Sequence, residues 1–504
     1  MKSLKKILAL ALVALFTLTV FTACGDKKES EEKSAKTIRY LNFKPEIADV
    51  YKKIAADYEK ETGVKVVVET AANNTYEQTL MSKMSTSEAP TLFQINGPRG
   101  YANWKDYCAD LTDTELYKHL TDKSLAVTVD GKAYGIPYVV EGYGIIYNQA
   151  IMDKYFALDS KSTSYKSMDE INNFKKLKEV ADDMQKNKDK LGIDGVFAST
   201  SLKPGDDWRW QTHLANLPIY YEFKNNNVDL TSDKTKEISF EYADNFKNIF
   251  DLYTTDSTVD KAKLGTKIVD DSMAEFALEK CAMVQNGNWA WSQISKVKGN
   301  KVKSENVKYL PIYTGVDGEE SQGLCIGTEN FFSINSQASK AEQKAAEDFI
   351  YWLYSSKTGK KYVTNDLGFI APFDTFEDSE KPSDPLAQEI SKWMEKDGIT
   401  SVPWNFTLFP SQTFKDNFGS ALLQYVQGTK TFDQVKKQVV DDWKSESQNA
   451  YKREGVFGPF RLGKRLFFSR KDSCHKTENP RDIRCFRLFR HGKQKIFSDR
   501  ISRL

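Results

Sequence analysis

The stretch IRYLNFKPEIADVYKKIAADYEKETGVKVVV, residues 38–68, changes its hydrophobic period twice. Ile38 to Phe43 has the β-forming residues of a short strand, and Pro45 then opens a helix on which Ile47, Val50, Tyr51, Ile54, Ala55 and Tyr58 share one apolar stripe. Gly63 stops that helix, and Val64 to Val68 reads as a second strand. Downstream, Thr75 with Gln78 has the spacing of a capping box, and TLFQI after Pro90 reads as a third strand. A β-α-β-α-β order predicts a largely parallel sheet covered by helices, so the fold class is α/β. Further along, a strand is expected over Gly135 to Tyr147 and a helix opened by a Ser167/Glu170 capping box. Helices are also expected over Trp208 to Leu217, Ser239 to Tyr253, Ser339 to Asn365, Ser411 to Gln427 and Phe432 to Tyr451.

The chain upstream of this sheet has another character. Lys2, Lys5 and Lys6 precede an apolar run from Ile7 to Phe21, the layout of a secretory signal over residues 1–23 and short of the roughly 20 residues of a spanning helix. Phe21-Thr22-Ala23-Cys24 resembles a bacterial lipobox, which implies a lipid on Cys24 that holds the protein at the outer face of the cell membrane. A plain cleaved signal with an incidental cysteine is the alternative. Residues 24–36, charged and free of aromatics, read as a solvated tether.

Composition bounds the rest. With 40% hydrophobic and 12% aromatic residues, the 504-residue chain can fill sizeable cores. Six cysteines are too few and scattered for a disulfide framework, and Cys108, Cys281 and Cys325 are expected as buried thiols. His119 and His213 stand alone, and no metal motif appears, so neither metal nor cofactor is expected. The net charge of +2 conceals a division. Residues 24–451 carry 53 basic against 65 acidic side chains, and residues 452–504 carry 16 against five, with ten of the arginines. This basic tail is expected to stand outside the fold. It reads as a segment for anionic lipid or nucleic acid, as a weak metal site at Cys474, His475 and Cys485, or as a misjoined extension; no nucleic-acid function is assigned to it.

Two places in the body suggest ligand chemistry. In YGIPYVVEGYGIIYN, residues 134–148, Glu141 interrupts an apolar run, and a buried carboxylate needs donors. Sugar hydroxyls facing a cleft, or an internal salt bridge, would supply them. In GNWAWS, residues 287–292, Trp289 falls on a strand-to-helix turn, where open α/β sheets bind ligands and where an indole face can hold a sugar ring; Trp291 suits core packing. Asn96 in QINGPRGY follows a strand and fits either a ligand contact or an ordinary Asn-Gly turn.

Taken together, GIPYVVEGYGIIYN, AMVQNGNWAWSQI, FKPEIADVYKKIAADYEKETGVKVVV, PTLFQINGPRGYANW and LGFIAPF resemble, in order, the solute-binding proteins of ABC importers, in the group with maltose and oligosaccharide receptors. The likeness runs from Lys36 to Tyr451. It implies a periplasmic-binding-protein-like fold of two discontinuous α/β lobes joined by hinge strands, with the ligand cleft between them. Residues 37–138 and 308–365 would form one lobe and 139–307 and 366–451 the other, with crossings near 138–143, 306–312 and 366–371. It implies a non-enzymatic monomer that captures an oligosaccharide and passes it to the permease subunits. Glu141 would bind hydroxyls and Trp289 would stack on a ring, both serving affinity more than folding; Asn96, Phe43, Tyr143, Trp208 and Trp210 complete the candidate ligand contacts. A polyol or polyamine ligand, a glycan-binding adhesin and a secreted glycoside hydrolase are the competing expectations.

Overall fold

The computed structural model describes residues 35, 37–72, 75–230, 233–377 and 379–456. The signal, Cys24, nearly all of the tether, and Cys474, His475 and Cys485 lie outside these residues. Among the described residues no helix is long and apolar enough to cross a membrane.

Among the described residues, eleven strands form two sheets. They are β1 Thr37–Asn42, β2 Lys65–Thr70, β3 Leu92–Asn96, β4 Val127–Val129, β5 Lys132–Pro137, β6 Glu141–Asn148, β7 Met283–Gly287, β8 Val307–Leu310, β9 Gln322–Gly327, β10 Asn330–Ile334 and β11 Thr400–Val402. The first sheet has the order β2-β1-β3-β10-β5-β4; the second runs β11-β9-β6-β7, with β8 also on β6. β1 pairs in parallel with both β2 and β3, as the opening β-α-β-α-β pattern requires.

Local chemistry sets the elements. Helix Ala48–Thr62 buries Tyr51, Ile54, Ala55 and Tyr58, the stripe seen in the sequence, and ends at Gly63, whose φ of 76° is the left-handed conformation glycine adopts without strain. Its stripe meets the face of Lys340–Ser355 that carries Phe349, Ile350 and Leu353 in one core beside the first sheet. There Tyr58 stands edge-on to Phe349 at 5.0 Å. Ser339 caps Lys340–Ser355 in a reciprocal capping box with Glu342, a contribution of about 1 kcal/mol. A larger core, in which Phe246, Phe418 and Trp443 are buried, fills the half built on the second sheet.

Several expectations are corrected. Thr75 starts helix Tyr76–Met84, but its hydroxyl donates to the Ala72 carbonyl at 2.9 Å and makes no capping box. Ser167 likewise does not cap: only a short turn, Met168–Glu170, follows it, and the helix Phe174–Lys186 begins at Asn173, which accepts from the Lys176 amide. The strand expected over Gly135 to Tyr147 is divided, β5 in the first sheet and β6 in the second. The return expected near 306–312 lies elsewhere. β8 and β9 both pair with β6, which keeps residues 307–327 in the second sheet, and the chain re-enters the first sheet only at β10. The connections between sheets therefore run side by side. Pro137 pairs with Phe331 at one end, Glu141 pairs with Gly327 at the other, and the Val140 amide donates to the Ile370 carbonyl at 2.8 Å where a third segment passes. Helix Phe432–Val456 extends past Tyr451.

Candidate functional site

Beside these connections lies a cavity of about 740 Å³, lined from both halves. The first sheet contributes the ends of β1 and β3. Phe43 is set by its own amide, which donates to Gln94 Oε1 at 2.7 Å, and its ring stands edge-on to Tyr76 at 5.4 Å. Lys44 is held through its backbone: its amide donates to Asn42 Oδ1 at 3.2 Å and its carbonyl accepts from Asn42 Nδ2 at 2.7 Å. Asn96, the last residue of β3, lines the cavity, and its Oδ1 has no hydrogen-bond partner among the described residues.

The second half supplies an aromatic wall. Residues Arg209–Leu214 form a π-helical turn, a wide helical form frequent at functional sites, in place of the first part of the helix expected over Trp208 to Leu217. Buried Arg209 ties this turn to β7, donating to the Gln285 carbonyl at 3.0 Å while Gln285 Nε2 donates back to the Arg209 carbonyl at 2.9 Å. Trp208 and His213 thereby reach the cavity. Trp289 stands on the turn after β7, as expected. Gly287 makes room for it: a Cβ at Gly287 would lie 2.1 Å from the Trp289 ring. Trp208 lies 6.2 Å from Trp289, and Trp404 stands edge-on to Trp289 at 6.4 Å.

Glu141 does line the cavity, but it is 2% exposed and its Oε1 accepts from Lys44 Nζ at 2.8 Å. The internal salt bridge, one of the two partners anticipated for this carboxylate, is formed, with Glu46 a further 3.6 Å neighbour of Lys44. Burial pushes the Glu141 carboxyl up and Lys44 draws it back. Burial alone would lower the Lys44 ammonium, but Glu141 and then Glu46 outweigh it and raise it. The same ammonium lies 5.3 Å from the centre of the Trp289 ring, within cation-π range. Glu329 and Glu77 are pushed up by burial, and burial lowers Lys415, so the wall mixes both signs in a poorly solvated space.

Of the sequence candidates, Phe43, Asn96, Glu141, Trp208 and Trp289 converge on the cavity. Two do not. Trp210 is 2% exposed in the core, with its indole N–H donating to the Ser201 carbonyl at 3.1 Å, because residues two apart on a helical turn point to different sides. Tyr143 is fully buried behind the wall; its ring stacks on His213 at 4.4 Å and its hydroxyl donates to the His213 carbonyl at 2.9 Å. Lys44, His213, Trp404 and Lys415 line the cavity without having been singled out. The only local signal was the position of Lys44 beside Phe43; Trp404 and Lys415 come from a distant part of the chain.

Residues 53–389 match the sequence model of a family described as bacterial extracellular solute-binding protein. The multiple sugar-binding protein of Streptococcus mutans is 24% identical over 394 residues, covering 77% of this chain and 87% of that protein. Among solved structures, a chitin oligosaccharide binding protein superposes with a TM-score of 0.63 at 18% identity, covering 83% of this chain and 99% of its own. RafE in complex with raffinose gives a TM-score of 0.60 at 17% identity, covering 82% and 99%. These two likenesses show the fold, two α/β lobes with a cleft between them.

Proposed function

The chain belongs to the bacterial extracellular solute-binding proteins, and we propose that it captures an oligosaccharide between its two lobes and delivers it to the transmembrane subunits of an ABC importer. One observation carries this reading: Trp208, Trp289 and Trp404 line a 740 Å³ cavity together with Asn96 and several charged groups from both halves. Sugars suit such a wall, since the C–H face of a pyranose packs on indole while the hydroxyls meet polar side chains. The size lies within the range of small-molecule sites, about 300–1,000 Å³. The sugar-binding relative and the oligosaccharide-binding structural neighbours support the ligand class.

A ligand that touches both walls favours the closed arrangement only through contacts made with both at once. Phe43, Lys44 and Asn96 on one side and Trp208 and Trp289 on the other are the groups for this. The protein works as a monomeric binding protein, not a hydrolase, held at the membrane through a lipid on Cys24. Glu141, one of the carboxylates that line the cavity, is engaged in an ion pair with Lys44.

Calorimetric titration of the purified protein with raffinose, stachyose, maltotriose and chitotriose tests the reading. Saturable binding of at least one, without hydrolysis, is expected. Turnover of any of them would replace this reading with that of an enzyme.

A further inference from the structure

The imidazole of His213 has five aromatic neighbours. It stacks on Tyr143 with ring centres 4.4 Å apart and planes 10° apart, and Trp208, Phe406, Trp289 and Trp404 surround it at 5.1, 5.2, 5.4 and 6.2 Å. His213 lines the cavity and is 6% exposed. Its backbone carbonyl is used by Tyr143, but among the described residues neither ring nitrogen has a hydrogen-bond partner. The protein itself therefore leaves both nitrogens available on the cavity side. The rings around it offer no strong acceptor.

We infer that His213 is a specificity-determining residue of the cavity, its ring nitrogens hydrogen-bonding a hydroxyl of a neutral sugar whose ring lies against Trp289 and Trp208; this rests on the oligosaccharide reading above. The surrounding charge fits. Burial first, and then the cations Lys415, Lys44 and Arg209, hold the imidazole well below its ordinary pKa. A neutral imidazole has one donor and one acceptor nitrogen, the complement of a hydroxyl, which also donates and accepts. A carboxylate in the same place would use only the donor nitrogen. His213 also accounts for Tyr143: the buried tyrosine positions the imidazole from behind by stacking on it and bonding to its carbonyl.

The test compares full-length wild type, His213→Phe and His213→Gln by calorimetry with raffinose, stachyose, maltotriose and chitotriose. It adds long-range proton–nitrogen spectra of the imidazoles, simple to assign because the chain has four histidines. For a sugar that binds wild type, His213→Phe is expected to weaken binding by about ten-fold, the scale of one lost hydrogen bond, with the ligand-free melting temperature retained. His213→Gln, which keeps a donor and an acceptor, is expected to recover part of that loss. The nitrogen signals missing from His213→Phe are expected to shift when the sugar is added to wild type. Unchanged affinity in His213→Phe, or wild-type signals that do not move on saturation, overturns the inference while leaving the oligosaccharide reading in place. Should His213→Phe fail to fold, the wild-type spectra and His213→Gln decide it. A wild type that binds none of the sugars overturns both.

Discussion

Lys44, two residues past the first strand of one sheet, and Glu141, the first residue of an inner strand of the other, meet at 2.8 Å in a buried ion pair between the two halves of the protein. Two charges withdrawn from water stabilise little as a pair, but removing one leaves the other stranded. Glu141 therefore has a structural role beside any role in binding. Glu141→Gln is expected to lower stability by about 2–3 kcal/mol, somewhat below the usual cost of breaking a buried pair, because Glu46 remains near the ammonium. Lys44→Met combined with Glu141→Leu should be less destabilised than Glu141→Gln alone. Urea denaturation of the three proteins checks this.

Trp289 is half-buried and faces the cavity, so Trp289→Ala is expected to change the melting temperature little and to weaken sugar binding roughly 10- to 100-fold, the equivalent of one large apolar contact. Gly287→Ala should have a similar effect without touching the tryptophan, since its methyl group would occupy the space of the ring. Calorimetry beside thermal denaturation separates the two properties.

Trp208 and Trp210 stand two residues apart and are expected to respond in opposite ways. Trp210→Ala removes a core side chain and its bond to Ser201, which should destabilise the protein by about 3–5 kcal/mol. Trp208→Ala should leave the fold intact and weaken the ligand complex. A loss of binding in folded Trp210→Ala equal to that in Trp208→Ala would contradict the separation.

Asp384 caps helix Pro385–Met394, accepting from the Leu386 and Ala387 amides, and burial raises its pKa to about 7. In the unfolded chain a carboxyl titrates near 3.9. Between these values the folded protein holds the extra proton, so the contribution of this group is greatest at low pH and is lost as pH rises toward 7. Asn is an equally good cap and does not ionise. Asp384→Asn is expected to be stabilised by up to about 2 kcal/mol at pH 8 and to differ little near pH 4. Melting temperatures across this range give the answer.

What the sequence revealed and what it hid have physical causes. The strand, helix and strand from residue 38 to 70 were legible because the helix buries one face at its own period between two runs of β-forming residues, and Gly63 marks where the helix ends. The division of the Gly135 to Tyr147 run was not, because the residues on both sides of it are largely apolar and buried, so that Pro137, which ends β5, and Glu141, which opens β6, fall inside what looks like one run. The capping boxes at Thr75 and Ser167 had the right spacing, but the Thr75 hydroxyl found a carbonyl and Glu170 accepts from the Lys166 amide.

At the site, Trp289 was legible from its place after a strand, whereas Trp208 and Trp210, two residues apart on a helical turn, had to point to different sides, and nothing local said which side faces the cavity. His213 and Trp404 carry no local signal at all. They meet only because segments near residues 213 and 404 are brought together beside β6, with Tyr143 between them.

The most direct measurement is calorimetric titration of wild type and Trp289→Ala with the same oligosaccharide panel. One saturable site per chain for at least one sugar, weakened at least ten-fold by the substitution in a protein that melts at the same temperature, is the expected result. Equal binding by the two proteins, or none by wild type to any sugar, would contradict the account.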